Sequence, residues 1–134
     1  MMAELSRVEK TVILVIDDEP SIADALKIIL EDKGYDVLVA GTGLSGVEQS
    51  RQHHVDLIIT DLQLPDISGL DVLSAIRERD PQSAVIMITA HGTQEISAEA
   101  TRRGAYTVLP KPFLPSEVLH QVAAALSKRR SLAP

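Results

Sequence analysis

Short runs of Val, Ile and Leu alternate with segments of helical period along almost the whole chain. The runs are TVILVI (11–16), DVLVA (36–40), DLIIT (56–60), AVIMIT (84–89) and AYTVL (105–109). They are close to continuously apolar, as strands are when both faces of a sheet are covered. Between them apolar positions recur every three or four residues: Ile22, Leu26, Ile29 and Leu30 form one stripe, Leu70, Leu73 and Ile76 a second, and Val118, Leu119, Val122 and Leu126 a third. Such stripes bury one face of a helix. Gly34 suits the left-handed residue after the first helix, and Pro115 suits the first turn of the last, where its missing N–H costs nothing. The segments near 44–52 and 94–103 carry mostly small or polar residues and predict helices with broad exposed faces. The pattern as a whole is a repeated βα unit, which predicts an α/β domain: a parallel sheet with helices on both sides.

With 134 residues, 45% of them hydrophobic and 24% charged, the chain is expected to form one soluble domain around a single core. It has no cysteine, which removes disulfides and thiolate metal sites and fits a cytoplasmic setting. The opening MMAELSRVEK lacks the apolar core of a signal peptide, and no run approaches the ~20 residues that span a bilayer. A net charge of -6 argues against direct binding of nucleic acid, which is driven by accumulated Lys and Arg. Residues 1–10 are expected to be an N-terminal extension and 11–127 the domain. Residues 128–134 are read as a tail or the start of a linker, and their opening Lys128, Arg129 and Arg130 fit equally a charge cluster at a helix C-terminus.

Charge is placed less evenly than composition suggests. The first apolar run ends in Asp17, Asp18 and Glu19, a knot of like charge that needs a positive partner to ionise together. In open α/β sheets the ligand crevice lies beyond the carboxyl ends of the strands, where the winding reverses. At or just past the ends of strands one, three, four and five stand Asp17 with Asp18, Asp61, Thr89 and Lys111. If the strand order is 2-1-3-4-5, Asp17, Asp18 and Asp61 converge, with Thr89 and Lys111 closing the far side. Clustered carboxylate oxygens suit Mg²⁺. A carboxylate can also attack phosphorus to give an acyl phosphate, aided by a metal, an ammonium and a hydroxyl donor. Asp61 is the candidate nucleophile, Asp18 and Asp61 the candidate ligands, Lys111 the phosphoryl partner and Thr89 the donor. Taken alone, Asp17, Asp18 and Glu19 fit equally well as solvated acids at a helix N-terminus, and Glu19 is read that way.

The segments VIDDEP, TDLQLPDISGLDVL, MITAHG and GAYTVLPKPF, in that order within residues 11–127, resemble the chemotaxis-regulator-like receiver domains of response regulators in bacterial two-component signalling. The resemblance implies a doubly wound (βα)5, flavodoxin-like fold with a five-stranded sheet in the order 2-1-3-4-5. It implies phosphorylation of Asp61 from a phosphohistidine of a histidine kinase or phosphotransfer protein, with Mg²⁺ as cofactor. Asp18 would ligate the metal directly, Asp17 mainly through water, and Asp61 and the backbone carbonyl of Gln63 would complete the set. Pro65 and Gly69 would shape the loop after the acceptor, Pro112 would follow Lys111 through a cis bond, and Gln63 and His91 would tune phosphoryl lifetime. Output would pass through the face of the fourth helix, fifth strand and fifth helix, to a target protein or a covalently linked output domain, with homodimerisation on phosphorylation. The chemistry would be confined to phosphorylation and dephosphorylation of the domain itself, without an enzyme's turnover of a metabolite.

The sequence departs from the family pattern at two places. Val108 stands where an aromatic switch residue is usual, and Tyr106, expected on the same strand face two residues earlier, is the candidate substitute. Leu114 stands where an Asp often caps the last helix, so that start is expected to lack a side-chain cap. The alternatives are a pseudo-receiver, acting as a constitutive interaction module, and a Mg²⁺-dependent aspartyl phosphatase. The phosphatase would want a second acid where Gln63 stands.

Overall fold

The apolar runs become strands because each is covered on both sides, and the helical stripes supply the cover. The computed structural model describes residues 10–132; the remainder of the expected N-terminal extension, and residues 133–134, lie outside the described residues. In chain order the elements are β1 (Val12–Ile16), α1 (Pro20–Asp32), β2 (Asp36–Ala40), α2 (Gly43–Gln52), β3 (Leu57–Asp61), α3 (Gly69–Arg79), β4 (Ala84–Thr89), α4 (Gln94–Arg102), β5 (Thr107–Pro110) and α5 (Pro115–Leu132). The strands are all parallel in the order β2-β1-β3-β4-β5. Register places Ile13 opposite both Val37 and Leu57, Leu57 opposite Ala84, and Ile86 opposite Thr107.

Alternation along β1 separates two cores. Ile13 and Val15 face Leu26 and Leu30 of α1 and Val118, Val122 and Leu126 of α5. Leu14 and Ile16 face Val72, Leu73 and Ile76 of α3 and Ala100 of α4. Full burial of a Leu or Ile contributes about 1.5–3 kcal/mol, so both layers are anchored by these positions. The stripe of α1 ends as its sequence predicts. Gly34 has φ +92°, its N–H donates to the carbonyl of Glu31, and that of Tyr35 donates to the carbonyl of Leu30. This paired closure satisfies carbonyls at the helix end, and its positive φ is the reason for glycine.

The structure corrects the expected placement of Tyr106 and adds detail at both ends of the last helix. The last helix continues past residue 127 to Leu132, through Lys128 and Arg129. Cations suit a helix C-terminus, and here they also find partners: Arg129 Nη1 lies 3.3 Å from Asp56 Oδ1, and Lys128 Nζ stands 5.7 Å from the centre of the Tyr106 ring. Tyr106 does not share a face with Val108. Strand β5 begins only at Thr107, and the bend before it breaks the alternation, so Tyr106 packs into the α1/α5 core while Val108 packs into the other. At the start of α5 no side chain of Leu114 is available to cap. Instead Glu117 Oε1 accepts the Leu114 N–H at 2.8 Å, the reciprocal half of a capping box.

Candidate functional site

Parallel strands carry their C-terminal residues to one edge of the sheet, and β1 and β3 are neighbours there because the winding reverses between them. Asp17 follows β1 and is 2% exposed; Asp61 ends β3 and is 4% exposed. Lys111 follows β5, held in place by its own N–H, which donates to the carbonyl of Thr89 at 2.8 Å. Its ammonium reaches across the sheet end, donating to Asp61 Oδ2 at 2.8 Å and standing 3.2 Å from Asp17 Oδ2 and 3.5 Å from Glu19 Oε1. The Lys111–Pro112 peptide is cis.

One ammonium thus faces three carboxylates, and the electrostatics follow from that imbalance. Burial raises the pKa of Asp17 above the ordinary carboxylate value, against the lowering effect of the Glu19 N–H and of Lys111, and the charge of Asp61 raises it further. Burial pulls Lys111 down, but the hydrogen bond to Asp61 and the charges of Asp17 and Asp61 outweigh it, so its pKa is raised. The Asp17 carboxylate is served unequally: Oδ1 accepts the Glu19 N–H at 2.9 Å, whereas buried Oδ2 has no well-directed hydrogen bond and faces only the Lys111 ammonium at 3.2 Å. Carboxylate oxygens of Asp17, Glu19 and Asp61 lie within 4.8 Å of one another. Close oxygen donors in excess of cationic charge fit a divalent cation.

The loop between β3 and α3 aims the acceptor. Asp61 Oδ1 accepts the Gln63 N–H at 3.2 Å, and the Gly69 N–H donates to the carbonyl of Leu62 at 2.8 Å. A Cβ at Gly69 would stand 2.2 Å from the carbonyl oxygen of Asp61, so only glycine lets the start of α3 approach so closely. Gln63, Pro65 and His91 line the cleft over Asp61, together with Asp18, Glu19 and Lys111.

The structure therefore brings Asp17, Asp61 and Lys111 into contact, with Asp18, Gln63 and His91 on the walls. Asp18 is exposed, and among the described residues its carboxylate belongs to no close group of three. Glu19 joins the group instead, its N–H held by Asp17 Oδ1; its position reads equally as a helix-start acid, and no spacing signal separates the two roles. Thr89 is buried, and its hydroxyl accepts the His91 N–H at 3.0 Å, leaving the O–H free to donate. It lines a separate groove beside Val108 and Pro110. Tyr106 lies remote from this cleft, among residues at the opposite end of the sheet such as Ser83, Ala84 and Arg129.

Comparison with known proteins gives concordant results. The family model described as response regulator receiver domain matches residues 13–123. The transcriptional regulatory protein KdpE of Mycobacterium tuberculosis is 38% identical over 123 residues, covering 92% of this chain and 54% of KdpE. The regulatory protein LuxO of Vibrio cholerae is 34% identical over 88% of this chain and 26% of LuxO. The chain thus spans about half the length of the first of these relatives and about a quarter of the second. Among solved structures, a CheY-like response regulator receiver domain protein from Methanospirillum hungatei superposes with a TM-score of 0.90 at 29% identity, over 93% of this chain and 100% of that one. The beryllofluoride-activated NtrC4 receiver domain dimer superposes with a TM-score of 0.85 at 34% identity, over 88% and 98%.

Proposed function

The chain belongs to the response regulator receiver domain family, and from that premise we propose that it is a phosphorylation-dependent switch whose acceptor is Asp61. The observation that carries this reading is the Lys111 ammonium held between Asp61 and Asp17 at 2.8 and 3.2 Å, with cation-binding oxygens in excess. In the transfer, a carboxylate oxygen of Asp61 attacks the phosphorus of a phosphohistidine on a histidine kinase or phosphotransfer protein. The new P–O bond forms as the P–N bond breaks, and its electron pair returns to the imidazole. Lys111 then faces the charge gathering on the equatorial oxygens, and the unspent O–H of Thr89 is a donor for one of them.

Asp17, Asp18, Asp61 and the Gln63 carbonyl, with Glu19 alongside, would hold Mg²⁺; the excess of carboxylate oxygens over the single Lys111 ammonium supports that fit. When bound, the ion supplies positive charge against phosphoryl oxygens. Gln63 and His91, on the cleft wall, govern access of the water that hydrolyses the acyl phosphate. The phosphoryl group biases two conformations, and the output is a change in protein binding at the α4, β5 and α5 face, by a target protein, a linked output domain or a second copy.

The test is intact mass after incubation with Mg²⁺ and acetyl phosphate, beside Asp61→Asn. Gain of one phosphoryl group by the wild type alone is expected. No gain, with Mg²⁺ binding also absent by titration, would replace the switch with a constitutive interaction module.

A further inference from the structure

The loop that aims Asp61 is fastened to a helix distant in sequence. Asp66, in the middle of that loop, accepts the N–H of Gly43 through Oδ1 and the N–H of Leu44 through Oδ2, each at 2.8 Å. These are the first two residues of α2, whose N–H groups have no acceptor within the helix. The N-cap Thr42 serves a different amide, its Oγ1 accepting the Ser45 N–H at 3.1 Å. The cap of α2 is therefore divided between its own neighbour and an acid from the acceptor loop. Two amides on one ionised carboxylate make a charge-assisted, bidentate hold, and the Leu44 and Gly43 bonds keep the Asp66 pKa below the usual carboxylate value. Ile67 adds to it by packing where a side chain at position 43 would be: a Cβ there would come within 2.5 Å of Ile67 Cγ1.

The bond joins two segments that each lead away from the site. Residues 40–44 lead from the end of β2, beside Asp17, whose N–H donates to the Ala40 carbonyl at 3.0 Å. Asp66 lies on the same loop as Gln63, whose N–H holds Asp61 Oδ1 and whose carbonyl is a proposed metal ligand. We propose that Asp66 is a positioning residue for the acceptor loop, fixing Asp61 and the Gln63 carbonyl relative to the acids that follow β1. This rests on the reading of the cleft as a Mg²⁺-dependent phosphoacceptor site. Groups that orient a metal's ligands without touching the metal commonly alter affinity by about 10–100-fold when removed.

The experiment compares wild type, Asp66→Ala, Asp66→Asn and Thr42→Ala by calorimetric titration with Mg²⁺ and by the rate of phosphoryl uptake from acetyl phosphate, each variant's folding checked by thermal melting. Thr42→Ala loosens the same helix end without touching the loop. Asp66→Ala should weaken Mg²⁺ binding about tenfold and slow uptake, Asp66→Asn should recover part of both, and Thr42→Ala should match wild type. Equal Mg²⁺ affinity in Asp66→Ala and wild type would overturn the proposal alone, as would an equal loss in Thr42→Ala, which would reduce Asp66 to a helix cap. A wild type that binds no Mg²⁺ would overturn the reading of the site, and this proposal with it.

Discussion

Burial raises the pKa of Asp17 even with the Lys111 ammonium 3.2 Å from its Oδ2, so without a divalent cation the ionised carboxylate opposes folding. The sign follows from proton binding. Between the unfolded value of 3.8 and the raised folded value, the native state binds more protons than the unfolded one, so this contribution to stability falls as pH rises. Asp17→Asn should therefore stabilise the metal-free protein at neutral pH. The gain should shrink as pH falls through the folded pKa and diminish when Mg²⁺ is added. Thermal melts of both proteins across pH, with and without Mg²⁺, check this; a less stable Asp17→Asn at neutral pH without metal would contradict it. Asp17, Asp61 and Lys111 were legible in the sequence because strand ends in this topology have fixed destinations. Glu19 and Asp66 were not, since both depend on how a loop turns, which no periodicity records.

At the scale of elements, the helix starts show how local chemistry is supplemented from elsewhere. Helices α3 and α4 have side-chain caps from Ser68 and Thr93, whereas α5 begins after Leu114, 63% exposed, with only Glu117 reaching back. Leu114→Asp would supply the missing acceptor for the first turn, complete the capping box and favour the helix dipole. The expected result is about 1 kcal/mol of added stability in urea unfolding, with m unchanged. No gain would mean that the Glu117 bond already satisfies the helix start. The absent cap at Leu114 was readable from sequence, but the Glu117 substitute depends on the loop's approach. Strand β5 shows the same limit: AYTVL read as a uniform strand, yet the bend at Tyr106 sends that ring toward Lys128 and away from Val108.

Over the whole molecule, the two ends of the sheet are occupied differently. The C-terminal end holds the acidic cleft. At the other end Asp56 ties separate parts together: Oδ2 accepts the Val12 N–H at 2.9 Å, and Oδ1 meets His54 Nε2 at 2.9 Å and Arg129 Nη1 at 3.3 Å. Asp56→Ala strands the start of β1 and separates α5 from the β3 entry, at a cost of about 2 kcal/mol. Because the cleft lies a full strand length away, Mg²⁺ affinity should be unchanged; urea unfolding and Mg²⁺ titration of one preparation test both parts. A fall in affinity beyond twofold or so would show the ends to be coupled. Among the described residues no helix is long and apolar enough to cross a membrane, and the two core layers account for the apolar stripes seen in the sequence.

Helix α4 gives the core one fully buried residue, Ala100, whereas α3 gives Val72, Leu73 and Ile76 besides Gly69. Beyond Ala100, α4 is held by the partly buried Ile96 and, at its C-terminal end, by the contacts of Arg103 with Asp71 and Ser74 of α3. Most positions on α4 can therefore be exchanged without opening a cavity. Its outer surface can be rewritten with little disturbance of the core beneath it. If α4 belongs to the proposed output face, a change in what is recognised there needs no change in the core or in the acidic cleft.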